Sequence, residues 1–300
     1  MYKNNSFEPL SLCCGSRLLR CERPAVMGIL NVTPDSFYDG NRYLSEKEIV
    51  ERAQAITSEG ADIIDIGVVS TRPGATLLAP DVEAEKLSKV VALVRRELPD
   101  AYISVDTCYS LPAKAAVDAG ADIINDISGG AFDTAMFDTV AQLRTPYVLM
   151  HNPKGTPQNP AGVGESDISP VASMAKSLSD LRNQLYDRGV RDVIIDPGFG
   201  FSKSIDDNYT LMTQLGELRS LFPNNPILVA LSRKSMIYRL LNTTADDALA
   251  GTVALHTIAL LSGAQILRAH DVKETRQTSD IVLKYLSSKQ DNNSRHTYCL

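Results

Sequence analysis

The chain has 300 residues, 44% of them hydrophobic, and carries 30 Lys and Arg against 36 Asp and Glu for a net charge of −6. That is enough apolar material for one large or two modest globular cores. Lys and Arg are scattered rather than clustered, so the chain lacks the electrostatic footprint of a nucleic-acid or anionic-membrane partner.

The first ten residues, Met1 to Leu10, show no basic segment followed by an apolar one, and no secretory signal is expected. The longest apolar stretches, such as Thr252–Leu261, fall short of the roughly 20 residues that a membrane helix needs. A cytoplasmic address is the expectation. The five cysteines, Cys13, Cys14, Cys21, Cys108 and Cys299, are an odd set without zinc-like CxxC pairs. They predict reduced thiols, with Cys108 buried, rather than a disulfide framework.

In chain order, residues 1–24 read as an N-terminal extension with a short hairpin around Cys14-Gly-Ser16, placed to close the floor of the domain after it. Strand-like apolar runs then fall at Val26–Leu30, Asp62–Ile66, Tyr102–Val105, Asp122–Ile124, Tyr147–Met150, Val193–Ile195, Ile227–Leu231 and Gln265–Leu267. Between them, helical periodicity marks Glu46–Glu59, Val82–Leu98, Pro112–Ala119, Val171–Arg188, Asn208–Leu221 and Ala245–Leu261. Alternation of this kind requires parallel strands covered by helices. Residues 288–300 are polar and read as a frayed tail.

An internal echo strengthens this reading. Gly60-Ala-Asp-Ile-Ile-Asp65 recurs as Gly120-Ala-Asp-Ile-Ile-Asn125, and more loosely from Gly189 and from Gly263. In each copy a Gly caps a helix, a buried strand follows, and a polar residue ends it. The prediction is a single α/β domain over residues 25–287, a (β/α)8 TIM-type barrel with its chemistry at the rim where the strands end. A doubly wound open sheet is the alternative, but no GxGxxG follows the first strand.

The unusual polar residues lie just past the strand ends. They include Asn31 to Gly40, Gly67 to Gly74, Asp106-Thr107, Asn125-Asp126, Asp196-Pro-Gly-Phe-Gly-Phe201, Ser232-Arg-Lys-Ser235 and Arg268-Ala-His270. Carboxylates and amides low in a mouth suit a polar planar heterocycle, and Arg, Lys and His near the lip suit a phosphate. Backbone N–H groups of a helix opening near Ser235 favour an anion. Arg268 and His270, two apart on one strand, are expected to face the mouth together.

Two segments, Met27-Gly-Ile-Leu-Asn-Val-Thr-Pro-Asp-Ser-Phe37 and Ser70-Thr-Arg-Pro-Gly-Ala75, with the later motifs in matching order, make the chain similar to the dihydropteroate synthase family of pterin-binding enzymes from about Val26 to Leu286. The resemblance implies small-molecule substrates: p-aminobenzoate displaces pyrophosphate from a hydroxymethyldihydropterin pyrophosphate with the help of Mg²⁺. It also implies a dissociative path, in which pyrophosphate leaves before the amine is captured, and a homodimer formed through late barrel helices.

Carried over by position, Asp106, Asn125, Asp196 and Lys234 resemble the pterin-binding set, with Ile127, Met150 and Phe201 as apolar walls. Asn31 resembles the magnesium-coordinating residue. Thr71, Arg268 and His270 resemble contacts to the diphosphate, and Arg72 and Ser235 resemble residues that place pyrophosphate and aminobenzoate. Asp106, Asp196, Lys234, Arg268 and His270 form the expected catalytic group, the first two loops are expected to act as lids, and Asp65 reads as structural.

Departures from the family pattern are Val68 and Val69 in the second loop, a lengthened loop after His151, Pro160, and Ser202 where Gly is common. Two other readings compete, a pterin-dependent methyltransferase domain and a noncatalytic pterin-binding paralogue.

Overall fold

Strands buried on both faces need apolar side chains at consecutive positions, and the computed structural model shows such strands at the centre of the chain. It describes residues 7–32, 45–69, 78–152 and 171–297, without the side chains of residues 290–297. The elements run β1 (Leu10–Cys14), β2 (Arg17–Cys21), β3 (Ala25–Asn31), α1 (Glu46–Ser58), β4 (Ile63–Gly67), α2 (Pro80–Glu97), β5 (Tyr102–Asp106), α3 (Ser110–Asp118), β6 (Ile123–Asp126) and α4 (Met136–Leu143). They continue with β7 (Tyr147–Met150), α5 (Val171–Asp187), β8 (Val193–Asp196), α6 (Ile205–Thr213), α7 (Leu215–Leu221), β9 (Leu228–Ala230), α8 (Ser235–Tyr238), α9 (Leu249–Leu261), β10 (Ile266–Ala269) and α10 (Val272–Thr297).

The parallel strands pair in the order β8-β7-β6-β5-β4-β3-β10-β9, and a parallel bridge between Ile195 and Ile227 joins the two ends. The sheet is therefore a closed (β/α)8 barrel, and the open doubly wound sheet is excluded. All eight expected strands are present. The single helix expected over Asn208–Leu221 is instead two, α6 and α7, meeting at Gln214. Short α4 and α8 and the long α10 complete the set; their few residues, or a mean polarity that hides the stripe, left no clear period in the sequence. Helical backbone continues through α10 to Thr297, past residue 288 where a tail is expected.

Helix starts obey local chemistry. Ser45 caps α1 in a reciprocal box with Glu48, and Ser204 does the same for α6 with Asp207. Ile49, Ala53 and Ile56 form the buried stripe of α1, and Leu87, Val90, Val91 and Val94 that of α2.

The hairpin β1–β2 pairs Leu10 with Cys21 and Leu12 with Leu19. Its inward Leu10, Leu12, Cys14, Leu19 and Cys21 pack on Met27, Ile63, Ile123, Val148, Ile194, Leu228 and Ile266, which point into the barrel. Each fully buried Leu in this packing contributes roughly 1.5–3 kcal/mol. Cys14, Cys21 and Cys108 are buried free thiols and Cys13 is exposed.

The internal echo is physical as well. Gly60 and Gly120 adopt φ of +103° and +113°, and the Asp two residues on caps the preceding strand: Asp62 accepts from Val26 N and Asp122 from Ile103 N, each at 2.8 Å. An arginine completes each unit, Arg276 on Asp62 and Arg95 on Asp122.

Candidate functional site

Because the strands are parallel, their ends meet at one rim. Asn31, Asp106, Asn125, Met150, Asp196 and Arg268 all stand within the last two residues of their strands. Asp65 stands two residues before the end of β4.

Arg268 is the hub. Its Nε donates to Asp65 Oδ2 at 2.6 Å and its Nη2 to Asp106 Oδ2 at 2.9 Å, while Asn125 Nδ2 donates to the same Asp65 oxygen at 3.1 Å. The guanidinium thus lies down against the acidic floor. Burial pushes the Asp106 carboxyl above its ordinary range, against the pull of Arg268. Burial also works against the charge of Arg268, but Asp65 and Asp106 more than offset it.

Asp196 is buried, and its Oδ1 accepts from Gly198 N at 2.7 Å. Burial raises its pKa, and the nearby Lys234 opposes that shift. Lys234 Nζ donates to the Phe199 carbonyl and lies 4.9 Å from the Phe201 ring centroid, a cation–π distance. Burial lowers its pKa to about 8, against the attraction of Asp196.

Ile127 and Met150 cluster with Cys108, and Phe132 and Phe201 pack against them. The three expected apolar walls therefore stand together. Asp126, by contrast, is used up within the fold, accepting from Ser128 N at 2.7 Å, Gly130 N at 2.9 Å and the Tyr147 hydroxyl at 2.6 Å. His270 follows β10, and its N–H donates to Ser232 Oγ at 3.2 Å, which ties the last rim loop to its neighbour. Ser235 opens α8, but that helix spans only four residues, so the dipole expected there is that of a single turn. Thr71, Arg72 and most of the two expected lids, residues 33–40 and 70–74, lie outside the described residues.

Sequence reasoning passed over three residues. Asp65, read as structural, is bound to Arg268 and Asn125; its signal was the internal echo, which aligns it with Asn125. Lys203 donates to the Gly198 carbonyl at 2.8 Å, and burial lowers its pKa to about 8, with Asp196 opposing. Glu83, in the first turn of α2, is buried and accepts from Thr107 Oγ1 at 2.5 Å, one residue from Asp106. Nothing in the sequence marks the burial of these last two.

Among the described residues no group of three or more His, Cys, Asp or Glu side chains is arranged to hold a metal. Asn31 offers one exposed amide oxygen, which a methyl group at Gly67 would approach to 3.4 Å. A single neutral oxygen donor could hold Mg²⁺ only as one ligand among several supplied from outside the protein.

The geometry has counterparts in known proteins. The family model "Pterin binding enzyme" matches residues 27–270. The dihydropteroate synthase of Escherichia coli is 37% identical over 278 residues, covering 91% of this chain and 95% of that protein. The mitochondrial folate synthesis bifunctional protein of Pisum sativum is 39% identical over 289 residues; the match covers 89% of this chain but only 55% of the pea protein, so the chain spans about half of that relative. The structure of Xanthomonas albilineans dihydropteroate synthase with 4-aminobenzoic acid superposes with a TM-score of 0.82 at 36% identity, covering 94% of this chain and 99% of that one. The chain belongs to the pterin-binding enzyme family.

Proposed function

We infer that this chain is a transferase of folate biosynthesis that condenses 6-hydroxymethyl-7,8-dihydropterin pyrophosphate with p-aminobenzoate, giving 7,8-dihydropteroate and pyrophosphate. The observation that carries the reading is the convergence of Asp106, Asn125, Asp196 and Lys234 at one barrel mouth beside an apolar wall, in a chain matched along nearly its whole length by the E. coli dihydropteroate synthase. No observation favours a methyl transfer.

In the reaction the carbon–oxygen bond to pyrophosphate breaks with its electron pair on oxygen, and the aminobenzoate nitrogen forms the new bond to carbon and loses a proton. Asp106 and Asp196 supply negative charge beneath a pterin that becomes positive as pyrophosphate departs, in a site that burial keeps poor in water. Asn125 and Lys234 complete the polar edge that orients the heterocycle, and Ile127, Met150 and Phe201 flank its face. Mg²⁺, when bound, neutralises charge on the leaving diphosphate, and Asn31 is the residue that would hold it. Thr71, Arg72, His270 and Ser235 remain assigned to the diphosphate and aminobenzoate.

Incubation with both substrates and Mg²⁺ tests the proposal. Dihydropteroate and pyrophosphate should appear together; folded protein that binds pterin without forming product supports the noncatalytic paralogue instead.

The proposal includes a homodimer. Leu240, Leu241, Leu249, Ile258 and Leu261 are exposed on and around α8 and α9, a concentration of apolar side chains that a second copy would cover. Light scattering should give twice the chain mass. A cytoplasmic location is part of the same reading; no helix among the described residues is long and apolar enough to cross a membrane.

A further inference from the structure

Asp65 is fully buried, yet its two carboxylate oxygens are used unequally. Oδ2 accepts from both Arg268 and Asn125, whereas Oδ1 is buried with no hydrogen-bond partner among the described residues. The same guanidinium spans to Asp106, which lies nearer the mouth: its side chain is 13% exposed, against 0% for Asp65. One cation therefore bridges a carboxylate that no ligand reaches and one that a ligand can.

We propose that Asp65 is a positioning residue for the reaction, the standing counter-charge that holds Arg268 while Asp106 passes from Arg268 to the heterocycle of the substrate. The inference rests on the pterin-binding reading above. A guanidinium carries five N–H donors in a planar fork, and on Asp65 it uses only Nε. When Nη2 leaves Asp106, a small rotation brings a second N–H onto Asp65 Oδ1 and completes a two-bond fork. Arg268 then gives up no pairing as Asp106 becomes free to accept from the ligand. Without the charge at residue 65, Asp106 would be the only carboxylate bonded to Arg268, and an incoming pterin would have to break that pair.

The test titrates the free 6-hydroxymethyl pterin, which lacks pyrophosphate, into the wild type, Asp65→Asn, Arg268→Ala and the double variant, with thermal melts alongside. Asparagine is isosteric and its carbonyl oxygen can still accept from Asn125; the charge is lost, and an NH2 donor replaces the second oxygen. Asp65→Asn should weaken pterin binding by about tenfold or more in the wild-type background. With Arg268 already gone, the same substitution should change affinity by less than about twofold, because the two residues act through each other.

Equal losses in both backgrounds would mean that Asp65 acts independently of Arg268, by touching the ligand or through Asn125, and unchanged affinity, with or without a lowered melting temperature, would leave it no positioning role. Either result overturns the inference. Should Asp65→Asn fail to fold, a crystal structure of the wild type with pterin decides: Arg268 should be on Asp65 and off Asp106, and the reverse sinks the proposal. A wild type that binds no pterin overturns the family-based function as well, whereas one that binds it with either result above overturns this inference alone.

Discussion

The N–H of Gly198 donates to Asp196 Oδ1 at 2.7 Å from a backbone position where no side chain can stand. Gly198 has φ of +69°, and a Cβ built there would lie 2.2 Å from the His151 carbonyl oxygen. Close approach of two rim loops thus orients the carboxylate. Gly198→Ala is expected to cost about 2–5 kcal/mol through left-handed strain and overpacking. Chemical denaturation would measure it, and a wild-type midpoint would show that the loops yield more easily than the geometry says.

Asp196→Asn should leave the fold intact and weaken pterin binding at least about tenfold. It replaces a carboxylate beside Lys234 with a neutral amide, and a charge-assisted hydrogen bond is worth about 1.5–3 kcal/mol. Calorimetric titration decides, and unchanged affinity would remove Asp196 from the site.

Glu83 gives a pH signature. Burial raises its carboxyl from the ordinary 4.5 to about 7, with the Thr107 hydrogen bond opposing. A raised folded-state pKa means that folding favours the protonated form: the residue costs nothing below about pH 4.5, and its penalty grows until about pH 7. Glu83→Gln keeps an acceptor for Thr107 and removes the ionisation. The variant should match the wild type near pH 4.5 and exceed it at pH 8 by at most on the order of 3 kcal/mol. Melting curves across that range check the prediction, which fails if the difference is flat with pH.

Ser202 has φ of +52°, in the left-handed region. Among the described residues its hydroxyl makes one long hydrogen bond, 3.4 Å to Asn152 Oδ1. Ser202→Gly, which restores the residue common in the family, should relieve the strain and stabilise the fold by about 0.5–1 kcal/mol. A lower denaturation midpoint would mean that the hydroxyl contact outweighs the strain.

Much of this protein is legible in the chain itself. Strands such as Tyr147–Met150 and Leu228–Ala230 are buried at every position, and that requirement appears directly as unbroken apolar runs. The repeated Gly-Ala-Asp before two strands is equally local, since a left-handed cap and a strand-capping carboxylate each need one residue type at one place. Alternation then implied the barrel, and the barrel implied a common rim.

Partnerships between residues far apart in sequence were not legible. That Asp65 faces Arg268, 203 positions away, depends on β3 pairing with both β4 and β10, which sets those two strands one apart in the barrel. The sequence placed Arg268 at a basic lip; the closed structure lays it on an acidic floor, because Asp65 and Asp106 are the charges within its reach. The burial of Lys203 and Glu83 is likewise a tertiary fact. A residue type states which charge a side chain can carry, but only the surrounding packing decides how much water remains to solvate it.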